Sequence, residues 1–165
     1  MKKILFYTAL ALSTLLVFTA CAARQTTAES EAAAADIRNA IEVADFRFVP
    51  RSAHPTGFRS VQLTPTFEVN VSPDTVRVNM PFFGRAFRAP MHPTDGGFHF
   101  TSTDFEYSVV PARRAGNWLV QIVFRDLDRR IVFDFDIWEN GSARLNIMDT
   151  DRQSISFQGE IELKN

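Results

Sequence analysis

The sequence predicts an all-β protein: a single antiparallel meander of about eight or nine strands, forming a partly closed barrel or two-layer sandwich, preceded by one N-terminal helix. Three observations predict it. After Asp45, apolar and polar residues alternate with a period of two in run after run. Turn-forming residues separate these runs at short intervals. No stretch after Phe46 repeats apolar residues at the spacing of a helix.

The runs follow in order. Phe67, Val69 and Val71 alternate with Glu68 and Asn70, and Val76, Val78 and Met80 with Arg77 and Asn79. Phe98 and Phe100 come next, then Phe105, Tyr107 and Val109. Asn117–Phe124 is apolar on both faces, which predicts a central strand. Ile131, Phe133, Phe135 and Ile137 alternate with Val132, Asp134, Asp136 and Trp138. Ala143, Leu145 and Ile147 follow, and the last run carries Ile155, Phe157, Gly159, Ile161 and Leu163. Asn140-Gly141 is a strong hairpin signal, because a type I′ turn needs positive φ at both central residues. Ser72-Pro73-Asp74, Ala115-Gly116, Asp126–Arg129 and Asp149–Asp151 mark further turns. The connections are short, so consecutive strands are expected to be neighbours. Residues 45–165 are read as one β-domain.

The front of the chain is different. Met1-Lys2-Lys3 is basic, Ile4–Phe18 is apolar, and Thr19-Ala20 are small residues before Cys21. This is the layout of an export signal over residues 1–20. Its apolar stretch of about 15 residues falls short of the roughly 20 needed for a lasting transmembrane helix. Cys21 resembles the acceptor of a lipoprotein signal, to which diacylglycerol is added before cleavage. Two or three acyl chains make such an anchor effectively permanent. Loss of Lys2 and Lys3 leaves the mature chain more acidic, so lipid holds it at the membrane, not attraction to anionic head groups. Residues 21–44 are read as a lipidated tether and helix. Ala22–Thr27 is a polar spacer, and Ile37 and Ile41 give a helix from about Ala28 to Val43 a narrow apolar stripe. Ala22-Ala23-Arg24-Gln25 is not acidic, which favours the periplasmic face of the outer membrane.

Composition sets the other bounds. Of 165 residues, 45% are hydrophobic and 22% charged, which excludes wholesale disorder and a polytopic membrane protein. A net charge of -1 shows none of the basic excess of a nucleic-acid binder. One cysteine excludes an intrachain disulfide and a Cys-based zinc site. His54, His92 and His99 lack metal-ligand spacing, and no cofactor is expected. Asp134 and Asp136 share a strand face, but alternating charge on a wet face accounts for them. Asp126/Asp128 and Asp149/Asp151 are read as turn formers that cap backbone N–H groups.

One loop breaks the pattern. Pro81–Gly97 is far longer than the roughly two to five residues of a hairpin loop. It holds Phe82, Phe83, Phe87, Arg85, Arg88 and His92 among prolines. It is either a recognition surface, with the rings as apolar wall and an arginine meeting an anion, or a plug over one end of the barrel. Arg152 and Gln153 either tie this loop down or, with Arg85, bind a carboxylate or phosphate. The second reading requires Arg85 and Arg152 within about 12 Å of each other. Candidate binding residues are therefore Phe82, Phe83, Arg85, Phe87, Arg88, Arg152 and Gln153, with Cys21 as lipid attachment.

The same segments carry a resemblance. Met80-Pro81-Phe82-Phe83-Gly84-Arg85-Ala86-Phe87-Arg88-Ala89-Pro90, then Asp95-Gly96-Gly97-Phe98-His99-Phe100, resemble a family of bacterial lipoproteins, the domain of unknown function family 4251. So do Asn140-Gly141-Ser142-Ala143 and Asp151-Arg152-Gln153-Ser154-Ile155-Ser156-Phe157-Gln158-Gly159. Phe83 and Phe87 stand where that family commonly has Tyr, and Asp151 where it commonly has Asn. The resemblance implies an exported lipoprotein and supplies no activity, cofactor or catalytic residue.

Two functional readings lead. One is a membrane-anchored, non-catalytic accessory module that meets an envelope partner through its outer surface, including an apolar patch at Trp138 and Val132. The other is a barrel that holds a small apolar or anionic ligand behind the 81–97 loop. A hydrolytic enzyme comes third, because no converging set of titratable groups is legible.

Overall fold

The computed structural model describes residues 29–88 and 96–164. Cys21, the signal, the Ala22–Thr27 spacer and His92 lie outside these residues.

Helix α1 covers residues 29–42 and the strands follow it. They are β1 (Phe46–Pro55), β2 (Val61–Gln62), β3 (Glu68–Val71), β4 (Val76–Pro81), β5 (Gly97–Ser102), β6 (Phe105–Pro111), β7 (Asn117–Phe124), β8 (Ile131–Trp138), β9 (Ser142–Asp149) and β10 (Arg152–Glu162). All pair antiparallel in the order β5-β4-β3-β1-β10-β9-β8-β7-β6, with β2 beside β1. The sheet curls into a nearly closed barrel, as its number of strands favours.

The order departs from a simple meander in two places. The first and last long strands pair, Arg47 opposite Glu162 and Pro55 opposite Ile155, so β1 sits between β3 and β10. Curling the sheet brings the first and last strands together, a pairing that no local turn signals. The second departure is at β5 and β6, consecutive strands that do not pair. The register with β4 and β7 shows both running the same way, so residues 97–111 form one bent path whose halves are the two edges. Asp126 fixes the bend: its carboxylate accepts from Ser102 Oγ at 2.6 Å, Thr103 N–H at 3.0 Å and Asp104 N–H at 3.4 Å. These bonds stabilise its ionised form, the Ser102 hydroxyl most, and hold its pKa below the usual carboxylate range.

Rings fill the interior. Phe46, Phe48, Phe98, Phe133, Phe135 and Phe157 are fully buried. Phe135 packs edge-on against Phe46 and Phe48, and Phe124 against Phe133. Phe100 of β5 meets Phe124 of β7 at 5.0 Å, so aromatic packing bridges the gap where the ladder is open.

Helix α1 caps one pole. Its Ala-rich sequence has high helix propensity, and Ile37, Ala40 and Ile41 are buried. Arg38 lies over the Trp118 ring, and Tyr107 Oη donates to Ile41 O at 2.6 Å. Burial pushes the Tyr107 phenol well above its ordinary pKa. Lys164 Nζ donates to Asp45 Oδ1 and Ser72 Oγ, each at 2.7 Å, and ties the end of the chain to this pole.

Two readings of single elements are corrected. β7 is not central but next to the β6 edge, with Leu119 and Gln121 exposed on its outer face. Its outward apolar residues lie near a sheet edge instead of under a second layer. Val132 is not exposed: it is 6% accessible, flanked across the strands by Val123 and Met148. Asp134 and Asp136 accept from the Gln121 and Asn117 amides.

Candidate functional site

The pole opposite α1 is built from loops. It gathers the β1–β2 turn, residues 82–88, the start of β5, the β7–β8 turn and the β9–β10 turn. Here residues 82–88 and Arg152-Gln153 meet. Residues 85–87 run alongside the beginning of β10 like a short extra strand. Gln153 N–H donates to Arg85 O at 2.9 Å, and Phe87 N–H donates to Asp151 O at 2.8 Å. Arg85 N–H reaches Gln153 Oε1 at 3.4 Å, and Arg88 pairs with Asp151 at 3.4 Å.

Arg152 is the hub, only 9% exposed. Its Nη1 donates to Gly97 O at 2.8 Å. Its guanidinium lies 5.1 Å from the Phe82 ring centre and 5.2 Å from that of Phe98, and these rings meet edge to face. Its Nε is 3.9 Å from Asp149 Oδ2. Asp149, with its side chain 1% exposed, also accepts from Arg129 Nε at 3.0 Å and from Asp151 N–H at 2.9 Å. One carboxylate thus shapes its own turn and holds two guanidiniums in place. Gly97 fits only as glycine: a Cβ there would stand 2.4 Å from Met80 O and 2.5 Å from His99 Nε2.

Beside Arg152 an open cleft of about 170 Å³ is lined by Gly97, His99, Phe100, Leu127, Asp128, Arg129 and Ile131. It lies between the free side of β5 and the β7–β8 turn. The exposed His99 donates through Nδ1–H to Asn79 Oδ1 at 2.8 Å. A larger open groove of about 420 Å³ at the α1 pole is lined by Asn70, Ser72, Asp74, Thr75, Arg77 and Lys164. Among the described residues no group of His, Cys, Asp or Glu is placed to hold a metal ion. No described helix is long and apolar enough to cross a membrane.

The sequence-derived set therefore divides. Phe82 and Phe83 are half-buried against the core, where they act as a plug, and Arg152 and Gln153 bind the loop. Arg85, Arg88 and Phe87 are exposed, Phe87 at 67%. Arg85 and Arg152 lie on hydrogen-bonded neighbouring segments, but the Arg85 side chain faces solvent and that of Arg152 is buried. Sequence reasoning missed Arg129, Asp149 and Gly97 as members of this site. The i,i+3 spacing of Asp149 and Arg152 across a turn was the available signal.

Fold and site together define a helix-capped, nearly closed antiparallel β-barrel whose loop pole is organised by one buried arginine. The chain belongs to the DUF4251 family: the model described as "Domain of unknown function (DUF4251)" matches residues 28–161. It is also similar in structure to a DUF4251 family protein from Bacteroides eggerthii DSM 20697, known from a crystal structure at 1.95 Å resolution. That likeness has a TM-score of 0.55 at 14% sequence identity and covers 80% of this chain and 88% of the other. No curated protein matches the chain.

Proposed function

We propose that this protein is a lipid-anchored protein of the cell envelope, held through Cys21 at the periplasmic face of the outer membrane, and that its barrel serves as a non-catalytic accessory module acting through the loop pole. One observation carries this reading. The family-like segments at 80–88, 96–100 and 151–159 lie far apart in sequence, yet meet around Arg152. The rings behind them fill the interior, so the exposed surface is what remains for a partner. Phe58 (65% exposed) and Phe87, with Arg85 and Arg88, supply apolar and cationic contacts at that pole.

Two measurements test it. Mass spectrometry of membrane fractions should find acyl chains on Cys21, and Cys21→Ser should move the protein to the soluble fraction. A photoreactive residue at position 87 gives a discrete crosslinked species in intact cells, which alanine at both Arg85 and Arg88 removes. An unmodified Cys21, or no crosslink from position 87, refutes the corresponding half of the proposal.

The cleft beside Arg152 favours a second reading, capture of a small anion by Arg129 and Arg152. At about 170 Å³ the cleft is smaller than the roughly 300–1,000 Å³ of usual ligand pockets, which ranks this reading behind the first. Inorganic phosphate or a short-chain carboxylate then raises Tm in a way that Arg129→Ala abolishes.

A further inference from the structure

We infer that the free edge of β6 is a self-complementary surface on which a second copy of this chain pairs antiparallel about a two-fold axis at Ser108. In an antiparallel ladder, alternate residues direct N–H and C=O to opposite sides of their strand. Ala112 N–H donates to Asn117 O and Arg125 N–H to Asp104 O, so the even-numbered residues from 104 to 112 face β7. Phe105, Tyr107, Val109 and Pro111 therefore direct their backbone groups away from it. None of the hydrogen bonds among the described residues reaches the backbone of Phe105, Tyr107 or Val109 on that side.

The other edge is different in kind. Gly97 O of β5 accepts from Arg152, and the β7–β8 turn stands across the cleft from it, so no strand can lie there. The β6 edge carries no lysine and no bulge, and its one proline, Pro111, stands at the very end of the strand. Its one charged side chain, Glu106, is already paired with Arg125 at 2.6 Å. Val110 and Leu119, directly opposite each other on the outer face, are 52% and 44% exposed next to this edge.

Self-complementarity identifies the occupant as another copy. With Ser108 facing Ser108 of the partner subunit, residue 107 faces 109 and residue 105 faces 111 across the axis. Tyr107 and Val109 then exchange both of their hydrogen bonds with the other copy. Phe105 donates to the carbonyl of the opposing residue 111, where Pro has no donor to leave unmatched. The register uses every free donor of Phe105, Tyr107 and Val109 on both copies and sets no like charges opposite each other, since Glu106 faces Val110. Two β6 edges joined in this way close into an isologous dimer and leave no edge for further growth.

Ser108 is exposed and makes no contact in the core, so it tests the interface without disturbing the fold. The full-length protein in detergent should sediment with the protein mass of two chains. Ser108→Lys, which sets two ammonium groups against each other, should weaken that dimer by at least about tenfold while far-ultraviolet circular dichroism is unchanged. Ser108→Cys should form an intermolecular disulfide under mild oxidation, because facing residues of a non-hydrogen-bonded pair lie about 4.5 Å apart at Cα. Ser154→Cys, away from the edge on β10, should not. A single-chain mass at about 100 µM protein overturns the proposal, as does a dimer that Ser108→Lys leaves intact. Hydrogen-exchange protection of the Tyr107 and Val109 amides in a single-chain species also overturns it, and would assign the edge to the protein's own N-terminal segment.

Discussion

Replacing Arg152 by Ala should cost about 3 kcal/mol, a large share of the roughly 5–15 kcal/mol that holds a domain of this size folded. The charge-assisted bond to Gly97 O, at 2.8 Å and buried, accounts for about 1.5–3 kcal/mol. The two ring faces of Phe82 and Phe98 contribute about 0.5–2 kcal/mol more. Asp149 keeps Arg129 Nε at 3.0 Å and the Asp151 amide at 2.9 Å, so its carboxylate is not orphaned. The cost therefore stays at the low end of the roughly 3–5 kcal/mol for breaking a buried ion pair. Arg152→Lys should lose about half as much, since the ammonium keeps the charge but not the planar fork. Urea unfolding at pH 7, followed through Trp118 and Trp138 fluorescence, should show the Arg152→Ala midpoint lowered by about 2 M. Amide exchange in residues 85–88 should accelerate in the same variant, because those residues hang on the start of β10. A midpoint shift below about 0.3 M, or unchanged exchange there, refutes the view that Arg152 holds this pole together.

Further outcomes follow from the same geometry. Gly159→Ala should cost at least about 2 kcal/mol in urea unfolding, since its Cβ would lie 2.2 Å from Val49 O and 2.7 Å from Pro50 Cα, both backbone atoms. The lowered pKa of Asp126 means its carboxylate contributes stability above the ordinary range near about pH 4 and loses it as pH falls through the folded value. The stability gap between wild type and Asp126→Ala should thus be constant from about pH 5 to 8 and shrink below about pH 4. Tyr107→Phe should cost about 1 kcal/mol by removing the shorter of the two bonds to Ile41 O, which keeps only the Ala44 N–H at 3.2 Å. The raised phenol pKa adds stability below about pH 10 that is lost as pH rises further, so alkaline titration should destabilise wild type more than Tyr107→Phe.

The sequence revealed local elements better than long-range ones. β3 to β10 are readable because each buries one face, and the two-residue alternation of Val69/Val71 or Phe133/Phe135/Ile137 follows directly from that. β1 was not singled out. Its register slips between Pro50 and Ser52, which interrupts the alternation, and two prolines mask its strand character. Its pairing with β10 depends on how the sheet curls and leaves no mark in either segment alone. At the loop pole, the docking of residues 82–88 on Arg152-Gln153 is one of the two readings the sequence leaves open, because the loop stands out in composition and Arg152-Gln153 by its place between a turn and the last strand. The part played by Asp149 and Arg129 was hidden, because only the β8–β9 register brings Arg129 beside that carboxylate.

The partnership of β1 with β10 has a temporal consequence. Arg47 and Glu162 are 115 positions apart, and the strand in the middle of the barrel wall cannot be flanked on both sides until the final segment is available. A ribosome that has released everything but that segment therefore holds a chain that is still open. Such lateness keeps the body unformed until synthesis is nearly complete, and it means that a premature stop just ahead of residue 152 forfeits the whole body instead of trimming it.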